Sequence, residues 1–157
     1  MKKLSAALFV SIVVSIPSQL VEAAPSINEM QTCQGLLDYL YEKTQSTNLI
    51  YAPSDKEIIA KGLQQYDDFI QETFITPGLQ SFVESTDTQV STLQAQIDDY
   101  KVSLVEQLRL QYAEEKFVMN EVVSLNNCTK KAVPSGNALG DLKQAMERMI
   151  ALVKQPS

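Results

Sequence analysis

From Ser26 onward, apolar residues recur at steps of three and four, the period of a helix with one buried face. Met30, Cys33, Leu37, Leu40 and Tyr41 form a first stripe. Ser26 and Glu29 ahead of it match a capping box, in which two side chains satisfy orphan amides at a helix start. The polar and β-branched run 44–48 should end that helix. Ile58, Ile59, Leu63, Tyr66, Phe69, Ile70 and Phe74 form a second stripe, behind Pro53 and a second box at Ser54 and Glu57. Pro77 marks the next start, since proline is tolerated at the first helical position.

No further proline occurs before Leu125, and the only glycine is Gly78. The spacing predicts one long helix over 77–125 with a weak point near 86, where short polar side chains compete for the backbone. Asn126 and Asn127 should end it, leaving 129–137 as a loop. Leu139, Leu142, Met146, Met149, Ile150 and Val153 supply a last stripe. Gly136 and Gly140 are expected to ease close packing where that helix begins. No stretch alternates as a strand does. Several helices that cannot bury their stripes alone predict an all-α bundle of about four helices.

Within the long segment, Leu79, Thr86, Leu93 and Tyr100 are spaced by seven, as are Val83, Val90, Ile97 and Leu104. These are the two apolar positions of a heptad. The next members, Gln107 and Gln111, are polar, and the pattern steps by four to Leu108 and Tyr112, a stutter. An unbroken helix over 77–125 would span roughly 70–75 Å, against about 30 Å for the second helix. Either the long helix folds back near 86 or one end projects. A projecting end would expose Val90, Leu93, Ile97 and Tyr100 as a seam for docking or self-association. A second candidate contact is Leu49, Ile50 and Tyr51, consecutive apolar residues in a loop. They either lid the bundle or anchor a partner.

The first 23 residues stand outside the fold. Lys2 and Lys3, an apolar run from Leu4 to Ile16, Pro17 and a small-residue exit at Ala23 have the form of a bacterial secretory signal peptide. Cleavage after Ala23 leaves residues 24–157 as a single domain in the periplasm or outside the cell. Nothing beyond it approaches the apolar length of a membrane span. Losing Lys2, Lys3 and Glu22 leaves 11 basic against 18 acidic side chains, a charge of −7. Such a surface opposes nucleic-acid phosphates and suits a basic partner. In an oxidising compartment Cys33 and Cys128, the only two cysteines, are expected to pair as a disulfide.

Candidate chemistry is sparse. The chain has no histidine, which removes the usual general base and the commonest metal ligand. No phosphate-cradling or dinucleotide-binding glycine pattern occurs, so no catalytic residue, metal or cofactor is expected. Tyr39 and Lys43, and Tyr112 and Lys116, share a spacing known from dehydrogenases, but read here as neighbours one helical turn apart. The doublets Asp67–Asp68, Asp98–Asp99 and Glu114–Glu115 read as solvated faces. The expectation is a non-enzymatic exported protein that binds another protein, capping or inhibiting it as an immunity protein does. The alternatives are an envelope assembly or secretion component docking through the heptad seam, and a holdase-like chaperone.

Overall fold

A computed structural model describes residues 25–46, 50–82 and 87–155. The signal-peptide assignment, Leu49 and most of the weak point near 86 lie outside the described residues. Six α-helices are present among those described: α1 (Ile27–Ser46), α2 (Pro53–Ile70), α3 (Thr76–Phe82), α4 (Asp87–Gln111), α5 (Met119–Lys131) and α6 (Gly136–Val153). The all-α reading holds, and no strand occurs among the described residues.

The first helix starts as expected. The Glu29 amide donates to Ser26 Oγ at 3.2 Å, and the Ser26 amide to Glu29 Oε2 at 3.1 Å. At the second, the Ser54–Glu57 box does not form. Ala52 caps α2 with extended backbone and no side-chain bond, and Pro53 occupies the first turn. Proline's preset φ and missing amide open a helix without a hydroxyl's help.

Pro77 lies in the first turn of α3, but that helix is not separate from α2. Residues 53–82 form a continuous helical rod in which a π turn, Gln71–Ile75, joins α2 to α3. In a regular α-helix the Pro77 ring would collide with the carbonyl four residues back, at Thr73. The π turn widens the helix at that point, and the Thr76 amide reaches five residues back to the Gln71 carbonyl.

The predicted helix over 77–125 is interrupted among the described residues: 112–118 leave helical geometry, and α5 then runs through Asn126 and Asn127 to Lys131. Both asparagines are tolerated because tertiary contacts on α5 outweigh their weak helix propensity. The loop shrinks accordingly to 132–135.

Helix α1 lies between α2 and α4, α6 packs along α2, and α5 contacts both α1 and α6. Met30, Leu37, Leu40, Ile59, Leu63, Tyr66, Ile70, Ile75, Leu125, Leu142 and Met149 fill the core. Close crossings fall at unexpected glycines. A Cβ on Gly62 would meet Ala145 Cβ and the Asp141 carbonyl oxygen, each at 2.5 Å, so α2 and α6 nearly touch there. A Cβ on Gly35 would lie 2.7 Å from Leu104 of α4. Gly136 and Gly140, expected to ease packing, have nothing within 4 Å. Gly136 serves instead to turn the chain, with φ of 55°.

Cys33 and Cys128 stand with their sulfurs at bonding distance, 2.10 Å, and their Cα atoms 5.7 Å apart. Lys131 pairs with Glu29 at 2.8 Å and Lys43 with Glu121 at 2.6 Å. Later residues of α1 thus meet earlier residues of α5. The two helices run antiparallel, cross-linked at three levels.

Candidate functional site

The heptad seam of α4 is covered by the chain's own helices over most of its length. Val90 and Leu93 are half-buried and Ile97 is 6% exposed, while Tyr100 remains 44% exposed. A groove of about 550 Å³ separates the seam from the start of α1 and from α3, lined by Ile27, Leu79, Leu93, Ile97 and Tyr100 among others. Tyr51 is also turned inward, at 6% exposure. Its ring stacks on Phe117 with centroids 5.2 Å apart, and its hydroxyl accepts the Phe117 amide at 2.5 Å. Ile50 is half-buried beside it. Tyr51 therefore closes the bundle, and its ring is not an exposed anchor.

The most developed polar site lies where the chain breaks after α4. Tyr39 and Lys43 share a face of α1 one turn apart, and Glu121 sits in the first turn of α5. Lys43 Nζ donates to Glu121 Oε1 at 2.6 Å, and the Tyr39 hydroxyl donates to the same oxygen at 2.6 Å. Lys43 Nζ also reaches the Tyr39 oxygen at 3.3 Å. Glu121 Oε2 accepts the Val118 amide at 2.8 Å, half of a capping box, since a valine cannot reciprocate. The Lys43 and Glu121 side chains are 7% and 0% exposed. The ammonium lies over the rings of Tyr39 and Phe117, 5.7 and 5.8 Å from their centroids.

This arrangement is electrostatically closed. Burial, followed by the hydrogen bond it donates to Glu121, pushes the Tyr39 phenol far above its ordinary value, so it keeps its proton. A dehydrogenase-type tyrosine needs the opposite, a lysine that eases its ionisation. The second pair of that spacing, Tyr112 and Lys116, is not on a helix at all.

Above this floor opens a cleft of about 500 Å³ whose walls include Tyr39, Lys43, Arg109 and Tyr112. Glu42, Glu114 and Glu115 stand around it. Arg109 is held by Glu42 and Glu106. Glu114 and Glu115 are exposed and make no ion pair among the described residues.

A second polar cluster joins α1, the π turn and α4. The carboxamide of Gln34 donates to Gln71, Gln71 to Gln94 and Thr76, and Gln94 to Asp98. The expectation of solvated doublets suits Asp98–Asp99 and Glu114–Glu115, which are exposed, but not Asp67, which is partly buried. Among the described residues no three of Asp, Glu and Cys are grouped to hold a metal ion, and no helix is long and apolar enough to cross a membrane.

No protein-family model, curated protein or solved structure matches this chain.

Proposed function

We propose that the chain is an exported, periplasmic protein that works by binding rather than by catalysis, capping or inhibiting one protein partner at the cleft beside the α4–α5 break. One observation carries the reading: a rigid floor beneath an acidic rim. Lys43, Glu121 and Tyr39 lock α1 to α5 below the cleft, so its shape is set before anything binds, which lowers the ordering cost of association. Around it Glu114 and Glu115 offer unpaired charge, in a chain of net −7 after loss of residues 1–23. The partner is a protein presenting basic side chains.

The experiment is a pull-down with tagged residues 24–157 from the envelope fraction of the source cells, beside the Glu114→Lys/Glu115→Lys variant. A single stoichiometric partner retained by the wild type and lost by the variant is the expected result. A spread of unfolded clients, or equal capture by both, overturns the reading.

A second reading draws on the groove at Ile27, Leu79 and Leu93 with its exposed Tyr100. It is docking or self-association through α4, as an envelope assembly component would require. Concentration-dependent sedimentation that disappears in Tyr100→Glu would favour it.

A further inference from the structure

The two heptad rows of α4 part company in the fold. Val90, Ile97 and Leu104 turn into the bundle: Ile97 is 6% exposed, and a Cβ on Gly35 of α1 would lie 2.7 Å from Leu104. The other row runs along the bundle's edge, with Leu93 half-buried and Tyr100 and Gln107 exposed. Beside it Gln89, Gln96, Ser103 and Leu110 also recur every seven residues, and all four are exposed. At 3.6 residues per turn these positions share one arc of the helix, roughly 100° wide and about 32 Å long. None of them is charged, although α4 carries Asp98, Asp99, Lys101, Glu106 and Arg109.

This outward arc is a seam, apolar at Leu93, Tyr100 and Leu110 and polar between them. It adjoins the groove of about 550 Å³ whose lining includes Leu93, Gln96 and Tyr100, and where no charged side chain stands among the described residues. The carboxamides of Gln89, Gln96 and Gln107 have no hydrogen-bond partner among the described residues. Gln94, off the arc, is spent on Gln71 and Asp98.

We propose that this arc of α4 is a docking face for an α-helix of another protein, one with an uncharged seam of its own and lysine or arginine along the seam's flank. The inference deepens the second reading above and rests on it.

Three features select that occupant. A seven-residue repeat sustained along α4 is matched by a second helix, whereas an extended peptide repeats every two residues. The groove takes the partner's apolar side chains, as hydrophobic grooves take the apolar face of an amphipathic helix. Charge then sets the partner's flank. Asp99 and Glu106, seven residues apart, border the arc on one side. Asp99 makes no ion pair among the described residues, and Glu106 shares Arg109 with Glu42. Positions flanking a heptad seam carry the charge pairs that select a partner. A second copy of this chain has no basic residue at either border of the arc and brings a net −7 of its own. A basic flank is the complement.

The test uses mature protein, residues 24–157, and two synthetic peptides of α4's length. Both carry leucine and glutamine on a heptad seam; one has lysine along the flank and its twin glutamate. Affinity is read by fluorescence anisotropy and the contact by amide shifts in NMR. The lysine peptide should bind at least about tenfold more tightly than its twin, with the preference shrinking at high salt. Shifts should centre on Gln96, Tyr100 and Ser103. Tyr100→Glu should abolish binding, and Asp99→Lys/Glu106→Lys should reverse the preference.

Equal affinity for the two peptides, with shifts still on α4, would overturn the basic flank and leave docking at α4 standing. Binding by neither peptide, or shifts confined to the cleft at Glu114 and Glu115, would overturn the docking face itself. Sedimentation showing α4 already covered by a second copy would overturn it too. Should the double variant fail to fold, the two peptides against wild type decide alone.

Discussion

Lys43 and Glu121, 78 residues apart in sequence, meet at 2.6 Å with both side chains removed from water. Glu121 does three things there: it neutralises Lys43, accepts from Tyr39 and holds the first turn of α5. Removing one member of such a buried pair leaves the other charge uncompensated, which costs about 3–5 kcal/mol. Glu121→Ala should lose about that much in chemical denaturation. The double variant Lys43→Met/Glu121→Leu should recover a large part of it, because no lone charge is then buried. Equal losses in the single and double variants would mean that the pair's other hydrogen bonds, and not the charge, dominate.

The disulfide closes a sequence separation of 95 residues. In the chain-entropy model a loop of that size contributes roughly 4–5 kcal/mol, a figure that native strain commonly reduces. Cys33→Ser/Cys128→Ser should therefore unfold at markedly lower guanidinium concentration than wild type. A reductant should move the wild-type midpoint to the variant's and leave the variant unchanged.

Two glycines one helix apart should respond with opposite sign to alanine. Gly62→Ala drives a methyl into the Asp141 backbone and Ala145, neither of which can swing aside. Overpacking of this kind costs about 1–3 kcal/mol. Gly140→Ala meets nothing within 4 Å in α6 and should stabilise by about 0.5–1 kcal/mol through helix propensity. Thermal melts of the two variants beside wild type give the comparison.

Glu29 carries an acid-labile contribution. The bond from Lys131, then those from the Ser26 amide and hydroxyl, hold its carboxyl down at about 2. A depressed value means stability present above the ordinary 4.5 and lost as pH falls towards 2. Glu29→Gln should melt below wild type at pH 7, and the two should converge at pH 2. A gap that persists at pH 2 would assign the effect to capping geometry in place of charge.

Much of the architecture could be read from apolar spacing, because that spacing is set by burial of one helix face. The stripe of α1 needed nothing else, whereas its capping box follows from Ser26 and Glu29 and the Cys33–Cys128 pairing from the count of two cysteines. The break at 112–118 did not announce itself, since Ala113, Glu114, Glu115 and Lys116 are all compatible with helix. It is made by distant side chains: Tyr51 takes the Phe117 amide and Glu121 takes the Val118 amide. One trace does precede it in the sequence, the heptad's failure at Gln107 and Gln111. The same long-range satisfaction hid the site. Tyr39 and Lys43 were visible as a spacing, but nothing local tied either to Glu121. Asp67 differed from its neighbour Asp68 only through the helices around it.

The sulfur bridge also divides the chain mechanically. Helices α2, α3 and α4 lie wholly between Cys33 and Cys128, whereas α6 lies wholly beyond. Tension applied at residues 25 and 155 would run along the start of α1, across the bridge and out through α6. The enclosed chain, roughly 310–340 Å if stretched, would carry none of it until the bond is cut. Helix α6, held to α2 by packing about Gly62, is the part free to peel.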